Sequence, residues 1–335
     1  MAGRSSRRGG GGAGIQALVE QKLADGLQYE ALQLYRGVVS RKSARGQDDA
    51  AMSIAEQGMG VLLGKGYADS ATELGNVLVD ILTDHELVPN EERVARIKRV
   101  NDMYEDAKQA AMLSNKDRPT AAGEQGSGGG NEEEEEVDGE RSGDGKSTRG
   151  MHSIGTLQGR FLKLAVNWAA SRGQRLSGDP ELCALLGRCL WNEGDLERGT
   201  RYLVLGERPL ELLDLISRDV SAGSARNLAV TKGVLQFASK ASLRDANALL
   251  TAYKVSLGFG PPTGLISFCV LLLKTCEYDA APVFQKLLEH FRAELSVDAA
   301  LFGFVETIAM VYFGIRLRPP SMLDNIMGMF GGASN

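Results

Sequence analysis

The sequence predicts an all-α protein, an α-solenoid of antiparallel helical hairpins of the tetratricopeptide-like kind, with about fourteen helices. Apolar residues recur at i, i+3, i+4 and i+7 in segment after segment, which is the spacing of one helix face. Glycine and proline stand at the segment boundaries, where helices end and begin. No segment alternates apolar and polar residues as a half-buried strand would.

The clearest hairpin signal is the stretch Gly178–Gly206. Asp179 is a good N-cap and Pro180 suits the first helical position, where its missing N–H costs nothing. Gly194 can end that helix in a left-handed conformation, and Asp195 can cap the next one. The first helix has an apolar stripe of Leu182, Leu185, Leu186, Cys189 and Leu190, and the second has Leu196, Leu203 and Val204. A single hairpin cannot bury both stripes, so neighbouring hairpins are expected to stack on it.

The same type of connection between two helices recurs along the chain. Gly26, Gly66 and Gly194 are each followed five positions later by a small residue, namely Ala31, Ala71 and Gly199. Small residues there let a second helix cross closely over the first, which resembles the inner half of a tetratricopeptide hairpin. Because the spacing is irregular, the prediction is a set of helical hairpins rather than a strict repeat.

Composition divides the chain into four segments. Residues 1–13 form a basic, glycine-rich tail that we expect to be disordered, and residues 14–114 form a first helical half. Residues 115–150 contain glycine runs and Glu132–Glu136 with almost no large apolar residue. Such a segment cannot bury enough surface to offset its chain entropy, so we expect a disordered acidic insertion. Residues 151–335 form the second helical half, which ends in an apolar tail.

Charge and cysteine content narrow the function classes. The formal net charge of −5 gives no electrostatic basis for nucleic acid as the main partner. The longest apolar run, Leu265–Leu273, is too short to span a bilayer, so direct membrane insertion is not expected. The first residues lack an apolar stretch and Ala2 follows Met1, so neither a secretory signal nor N-myristoylation is expected. Apolar helical segments hold all four cysteines, which indicates reduced, buried thiols in a cytosolic protein: Cys183, Cys189, Cys269 and Cys276.

No motif predicts catalysis, a cofactor or a metal, so the chain is not expected to be an enzyme. Gly145-Lys146-Ser147 resembles the end of a phosphate-binding loop, but Glu140 replaces the required first glycine. Ser153 lacks the first glycine of a nucleophile elbow, so a helix N-cap is the expected role. The three histidines show no metal-ligand spacing, and both tryptophans are expected in the core: His85, His152 and His290, with Trp168 and Trp191.

Two surface features remain. One is a basic group of Arg36, Arg41, Lys42 and Arg45, with Glu73 on a following helix. From composition alone, a solvated helix surface explains this group. The other feature is an apolar, methionine-rich tail that either folds back on its own helices or binds a partner's apolar segment: Met322, Leu323, Ile326, Met327 and Phe330.

Several ordered matches give the chain a family resemblance. They are Tyr29-Glu30-Ala31-x-Gln33-x-x-Arg36, Gly178-Asp179-Pro180-x-Leu182, Gly194-Asp195, Arg201-Tyr202, Val234-Leu235-Gln236-Phe237, and Tyr312-Phe313-Gly314 before Pro319-Pro320. In this order the sequence resembles the Golgi-to-ER traffic protein four family, the scaffold subunit of the guided-entry-of-tail-anchored-proteins pathway. The resemblance covers residues 15–113 and 151–333, and the acidic insertion departs from it.

The resemblance implies a non-enzymatic cytosolic scaffold for tail-anchored membrane proteins bound for the endoplasmic reticulum. Its N-terminal half would dock a targeting ATPase, which makes Arg36, Arg41, Lys42, Arg45 and Glu73 candidate contacts. Its C-terminal half, from about Leu265 onward, would hold a ubiquitin-like adaptor or, in some lineages, a larger chaperone-associated partner. The alternative is a generic helical-repeat subunit of another cytosolic assembly.

The adaptor is expected to cover apolar stripes at the C-terminal end together with the methionine-rich tail. These stripes are Leu265-Phe268-Cys269-Leu272 and Phe302-Val305-Ile308-Ala309. They are more apolar than the outer face of a terminal repeat, which is normally polar for solubility.

Overall fold

The structure, a computed structural model, describes residues 11–116, 146–257 and 264–317. All regular secondary structure in these ranges is α-helical, which confirms the predicted fold class. The helix beyond the predicted number is α14, a single turn that periodicity cannot detect. The fifteen helices are α1 Gly11–Ala24, α2 Gln28–Ser43, α3 Asp48–Gly64, α4 Ala68–Asp84, α5 Glu91–Lys116, α6 Lys146–Arg172, α7 Pro180–Asn192, α8 Leu196–Leu205, α9 Pro209–Asp219, α10 Ser224–Ser239, α11 Leu243–Leu257, α12 Gly264–Glu277, α13 Ala281–His290, α14 Arg292–Leu295 and α15 Ala299–Phe313.

The helices form two compact units, Met1–Asp195 and Leu196–Asn335. In the first unit, α2, α3 and α4 pack in sequence, and α6 lies against α4, α5 and α7. In the second, α10 is the central helix and contacts α8, α9, α11, α12 and α15. The contacts therefore place α6 and α7 with the first five helices, whereas the composition-based halves begin the second half at residue 151.

One backbone turn joins the helices at eight places within the described residues. A residue of positive φ follows each helix, and the next N–H donates to the carbonyl five residues back, which is the Schellman pattern. After α3, for example, Gly66 has φ 82° and Tyr67 N–H donates to Leu62 O over 2.9 Å. Gly26, Gly46 and Gly194 hold the same position after α1, α2 and α7.

The other four turns have no glycine at the left-handed position. They use Glu86, Glu207, Ala241 and Asp279, with φ between 49° and 59°. A side chain costs energy in this conformation, so these turns depend on the packing of the helices that they join. Glycine as a helix-end signal could not reveal them.

The small residues five positions after the left-handed residue of these turns are buried. Ala31, Ala71 and Gly199, which the sequence singles out, are buried, and Ala51 and Ala246 hold the equivalent positions. Their backbone N–H groups, Gly199 aside, make the first hydrogen bond of the new helix to the residue just after the turn. A small side chain here lets the neighbouring helix approach at the level of the turn.

Helix α7 begins as predicted but is buried more widely than predicted. Asp179 Oδ1 accepts hydrogen bonds from Glu181 N–H at 2.9 Å and Leu182 N–H at 3.2 Å, and Pro180 occupies the first turn. Beyond the predicted stripe, α7 also buries Cys183, Ala184, Gly187 and Trp191. The single apolar stripe thus underestimates how much of α7 is buried, because α7 packs against both α5 and α6. In α8, Leu196 is 40% exposed and does not belong to the buried stripe.

Three boundaries differ from the predictions. Helix α1 begins at Gly11, inside the predicted tail, and α5 and α6 extend into the predicted insertion, to Lys116 and from Lys146. Apolar periodicity marks only the part of a helix that packs against the core, whereas the helix itself can continue beyond that part. Ser153 consequently lies inside α6, and the expectation that it caps a helix is wrong. The rest of the predicted insertion, residues 117–145, lies outside the described residues, as do residues 1–10.

Helices α5 and α6 form an antiparallel pair joined by residues 117–145. Near its C-terminal end, α6 donates a hydrogen bond from Trp168 Nε1 to Leu87 O, just before α5, over 2.8 Å. Midway along, the buried Gln158 Nε2 donates to Asn101 Oδ1 and Glu105 Oε1, both over 2.8 Å. Continued along both helices, this register brings the end of α5 and the start of α6 to the same level.

Shortening the connection between α5 and α6 is expected to preserve the fold. Replacing residues 117–145 with about six Gly and Ser residues still spans a helix–helix connection. About two halvings of loop length are expected to add roughly 1 kcal/mol to the unfolding free energy, at about 0.6 kcal/mol each. Circular dichroism and thermal melting measure this effect, with a Gly/Ser segment of unchanged length as the control. A large loss of helicity would show that residues 117–145 contribute to the folded core.

The Schellman turn after α3 offers a separate test of backbone conformation. A Cβ on Gly66 would meet no heavy atom within 4 Å, so Gly66→Ala tests φ alone. We expect the free energy of unfolding to fall by about 1–2 kcal/mol. Gly64→Ala is the matched control, because Gly64 also has open space but lies within α3, where alanine is favoured by up to about 1 kcal/mol. Equal denaturation midpoints for the two variants would contradict a conformational role for Gly66.

Candidate functional site

Arg36 and Glu73 come together as the sequence suggests. The Arg36 Nη1 and Glu73 Oε2 atoms lie 3.4 Å apart, between α2 and α4, and each side chain is about half exposed. Helix α2 buries its stripe of Ala31, Leu32, Tyr35, Val38 and Val39, which leaves Arg36 beside α4. Because solvent screens an exposed pair of this kind, its contribution to stability is small, and both groups remain accessible to a partner.

Helix α4 presents acidic groups next to Arg36. Glu73, Asp80 and Asp84 follow one another at i, i+7 and i+11, which places them along one side of the helix. Burial raises the pKa of the Asp80 carboxyl, the neighbouring Asp84 raises it further, and Arg36 opposes both effects. This surface of α2 and α4 therefore carries both signs of charge and is not a purely basic patch.

The other basic candidates occupy different positions. Arg41 is exposed, and five residues of helix rotation separate it from Arg36, so the two lie at opposite edges of the exposed face of α2. Lys42 Nζ donates to Gln47 Oε1 over 3.0 Å across the turn after α2. Arg45 is exposed in that turn, outside the helix. A partner that covers α2 from edge to edge could contact both Arg36 and Arg41.

Three helix ends meet at His85, a feature that sequence reasoning missed. His85 Nδ1 lies 2.8 Å from Asp48 Oδ1, and His85 Nε2 lies 3.1 Å from Ser43 Oγ. The order resembles a catalytic triad, but Ser43 closes α2, where the free backbone groups are carbonyls and not the N–H donors that stabilise an oxyanion. The contacts instead tie the ends of α2 and α4 to the start of α3. His85 lies 42 residues after Ser43 in the sequence, so no local pattern could indicate the cluster.

The apolar stripes of α12 and α15, which were expected to bind an adaptor, are largely buried within the second unit. Phe268, Cys269, Leu272, Val305, Ile308 and Ala309 are buried, because α12 and α15 pack against α10. The expectation that these stripes face a partner is therefore wrong. The tail candidates Met322, Leu323, Ile326, Met327 and Phe330 lie outside the described residues.

A different apolar surface is exposed on α15. Gly303, Thr307, Met310 and Val311 follow at i, i+4, i+7 and i+8 and are exposed, with Met310 at 44% and Val311 at 46%. Glu306 is the only charged residue of α15 and lies at the edge of this stripe, three residues after Gly303 and four before Met310. We call these four residues the α15 outer stripe. An uncharged helix face of this kind is typical of a protein–protein contact.

The described residues contain no group that suggests catalysis by a cysteine or a metal. All four cysteines are free and buried, as predicted, and burial raises the pKa of each thiol to about 12. At neutral pH they are protonated and thus poor nucleophiles. Within the same residues, no three His, Cys, Asp or Glu side chains are grouped to hold a metal. None of the described helices combines the length and apolarity required to cross a bilayer.

Comparisons with known proteins agree on one family. The family model for Golgi to ER traffic protein 4 matches residues 45–332. Protein GET4 of Arabidopsis thaliana is 24% identical over 92% of this chain and 91% of its own length. The Golgi to ER traffic protein 4 homolog of Homo sapiens is 23% identical over 98% of this chain and 88% of its own.

A solved structure shows the same fold. The crystal structure of C. therm. Get4 superposes with a TM-score of 0.69 at 22% identity and covers 96% of each chain. The family match spans most of the sequence, on both sides of residues 117–145. The chain therefore belongs to the Golgi to ER traffic protein 4 family.

Proposed function

We propose that the chain is a non-enzymatic cytosolic scaffold that links a targeting ATPase to a ubiquitin-like adaptor, or to a larger chaperone-associated partner, for delivery of tail-anchored proteins to the endoplasmic reticulum. Family membership supports the pathway. The observation that carries the division of labour is chemical: the exposed surface of α2 and α4 in the first unit is charged, whereas the α15 outer stripe in the second is not.

The charged surface suits a partner that must bind and leave. Arg36 and Glu73 are half exposed, so each can exchange its present partner for one on the ATPase at little cost in desolvation. Charges at the rim of an interface mainly accelerate association and set the orientation of the partners. Such an interface is expected to be sensitive to salt.

The α15 outer stripe suits a partner that stays bound. Covering Met310 and Val311 removes apolar surface from water, and Glu306 is the one charged residue of α15 beside them. The methionine-rich tail follows α15 in the sequence, and flexible methionine side chains adapt to a partner's surface. We infer that the stripe and the tail together bind the adaptor.

Charge reversal on α2 tests the ATPase arm. Arg36→Glu with Arg41→Glu places acid at both edges of the exposed face of α2 and, at Arg36, next to Glu73 and Asp80. We expect ATPase binding to weaken by about 1–2 kcal/mol, roughly tenfold in Kd, and the loss to shrink at high salt, because screening shortens to about 10 Å at 0.1 M. Titration calorimetry at two ionic strengths measures the effect.

The control makes an equal change in net charge at two positions of the second unit. Lys254→Glu with Lys286→Glu alters two exposed lysines of α11 and α13 and is expected to leave ATPase binding unchanged. If the α2 variant binds the ATPase with wild-type affinity at low salt, both arginines belong to an ordinary solvated surface.

Changes at the C-terminal end test the adaptor arm. We expect Val311→Glu, and separately truncation after Pro320, to raise the Kd for the adaptor about tenfold, because a buried apolar side chain contributes about 1.5–3 kcal/mol. ATPase binding is expected to stay intact. Val88→Glu is the matched control, since Val88 is 56% exposed in the first unit. Unchanged adaptor affinity in both C-terminal variants would leave the outer stripe without a role and would favour a generic helical-repeat subunit.

A further inference from the structure

We propose that the groove between α4 and α6 is a docking site for a charged helix of the targeting ATPase. This inference rests on the proposed function and extends its docking surface beyond α2. The groove encloses about 530 Å³, and residues of both helices line it, among them Asp69, Glu73 and Asn76 on α4 and Arg160, Lys163 and Leu164 on α6.

The groove has two matching walls. Asp69, Glu73 and Asn76 on α4, and Arg160, Lys163 and Leu164 on α6, recur at three- or four-residue spacing, so each set forms one helical stripe. The helices run in parallel: a Cβ on Gly75 would lie 3.0 Å from Phe161 Cδ2, and Arg172 Nη2 donates to Thr83 O over 3.2 Å. This register places Glu73 level with Arg160, and Asn76 level with Lys163.

The opposite charges face each other but do not pair. Glu73 forms its ion pair with Arg36 of α2 and not with Arg160 or Lys163. Within the part of the chain that the structure describes, Arg160 and Lys163 make no hydrogen bond or ion pair. Two exposed cations along one wall, opposite an acidic wall, are therefore available to a ligand that carries both signs.

A buried polar atom points to the same ligand. Asn76 Oδ1 is buried and has no hydrogen-bond partner among the described residues, although it borders the groove. A buried acceptor without a donor costs free energy, and a turn of the half-buried Asn76 amide towards the groove would let a donor from an occupant recover it. On the other wall, Leu164 is 39% exposed and offers an apolar contact beside Lys163.

The dimensions favour a helix as the occupant. The α6 wall from Leu157 to Asn167 is about 15 Å long at 1.5 Å per residue. A helix of about three turns matches that length, so it would lie along the groove and insert its side chains between the walls.

Charge complementarity specifies that helix. It presents carboxylates to Arg160 and Lys163, a cation to Asp69, and a donor to Asn76 Oδ1. The acidic wall of Asp69 and Glu73 disfavours nucleic acid. The same wall disfavours the chain's own segment 117–145, which carries ten acidic and two basic residues.

The first test measures binding of the purified ATPase to the full-length chain by calorimetry. Arg160→Glu with Lys163→Glu is expected to raise the Kd tenfold or more at low salt and less at high salt. The free chain should melt as the wild type does, since both side chains are exposed and unpaired. Lys286→Glu with Lys254→Glu is the control of equal charge and is expected to bind normally.

A second variant separates docking from general electrostatics. Asn76→Ala removes the buried unpaired oxygen without changing charge, so the free chain should melt at an equal or higher temperature. If the occupant donates to that oxygen, ATPase binding should nevertheless weaken about fivefold. Stabilisation of the free protein together with weaker binding is the signature of a group that is satisfied only in the complex.

Three outcomes would overturn the inference. If the groove variants bind the ATPase normally while Arg36→Glu weakens binding, the groove is not part of the interface, although the proposed function stands. If the wild-type chain does not bind the ATPase at all, the proposed function fails first and the inference with it. If removal of residues 117–145 tightens ATPase binding and abolishes the effect of the groove variants, the occupant is the chain's own acidic segment.

Discussion

The left-handed turn that ends eight of the helices is the constraint on which the rest of the structure depends. Each turn uses two backbone N–H groups to satisfy carbonyls at a helix end and immediately directs the chain into the next helix. The connection is three residues long at six of these turns, four after α2 and six after α4, which is too short for consecutive helices to separate. Small buried residues such as Ala31 and Ala71 then let neighbouring helices approach closely. The turn thus sets the packing, and the packing determines which helix faces stay exposed.

This constraint explains how much of the fold the sequence predicts. Glycine turns and proline starts reveal where helices change, as at Gly66 and Pro180, because only certain residues tolerate those backbone angles. Glu86 and Ala241 adopt a similar turn without glycine, since tertiary packing imposes it, and no local pattern marks them. Burial follows the same logic. Apolar periodicity identifies the core stripe of α2, but it understates α7, which packs on two helices at once.

The candidate sites were predicted less fully, for a related reason. The pairing of Arg36 with Glu73 follows from exposed charges on nearby helices, and the structure brings the two together. The His85 cluster and the α4–α6 groove each bring together helices that are far apart in sequence. Whether their residues meet depends on how those helices are aligned, which the sequence does not show. For the apolar stripes of α12 and α15, the sequence predicted an interface that the structure does not contain. Their apolar composition suggested an interface, but composition cannot distinguish a face covered by α10 from one left for a partner.

Polar groups inside the first unit show how specificity is added to this packing. Gln158 is fully buried and its Nε2 donates to Asn101 and Glu105 across the antiparallel α5–α6 pair, so both contacts depend on the register of the two helices. Arg96 is likewise buried and lies 3.4 Å from Glu56, between α5 and α3. Each of these groups would be costly to leave unpaired, so each disfavours alternative alignments of the helices. Because contacts midway along α5 and α6 hold the register, the fold does not depend on the length of the segment that joins the two helices.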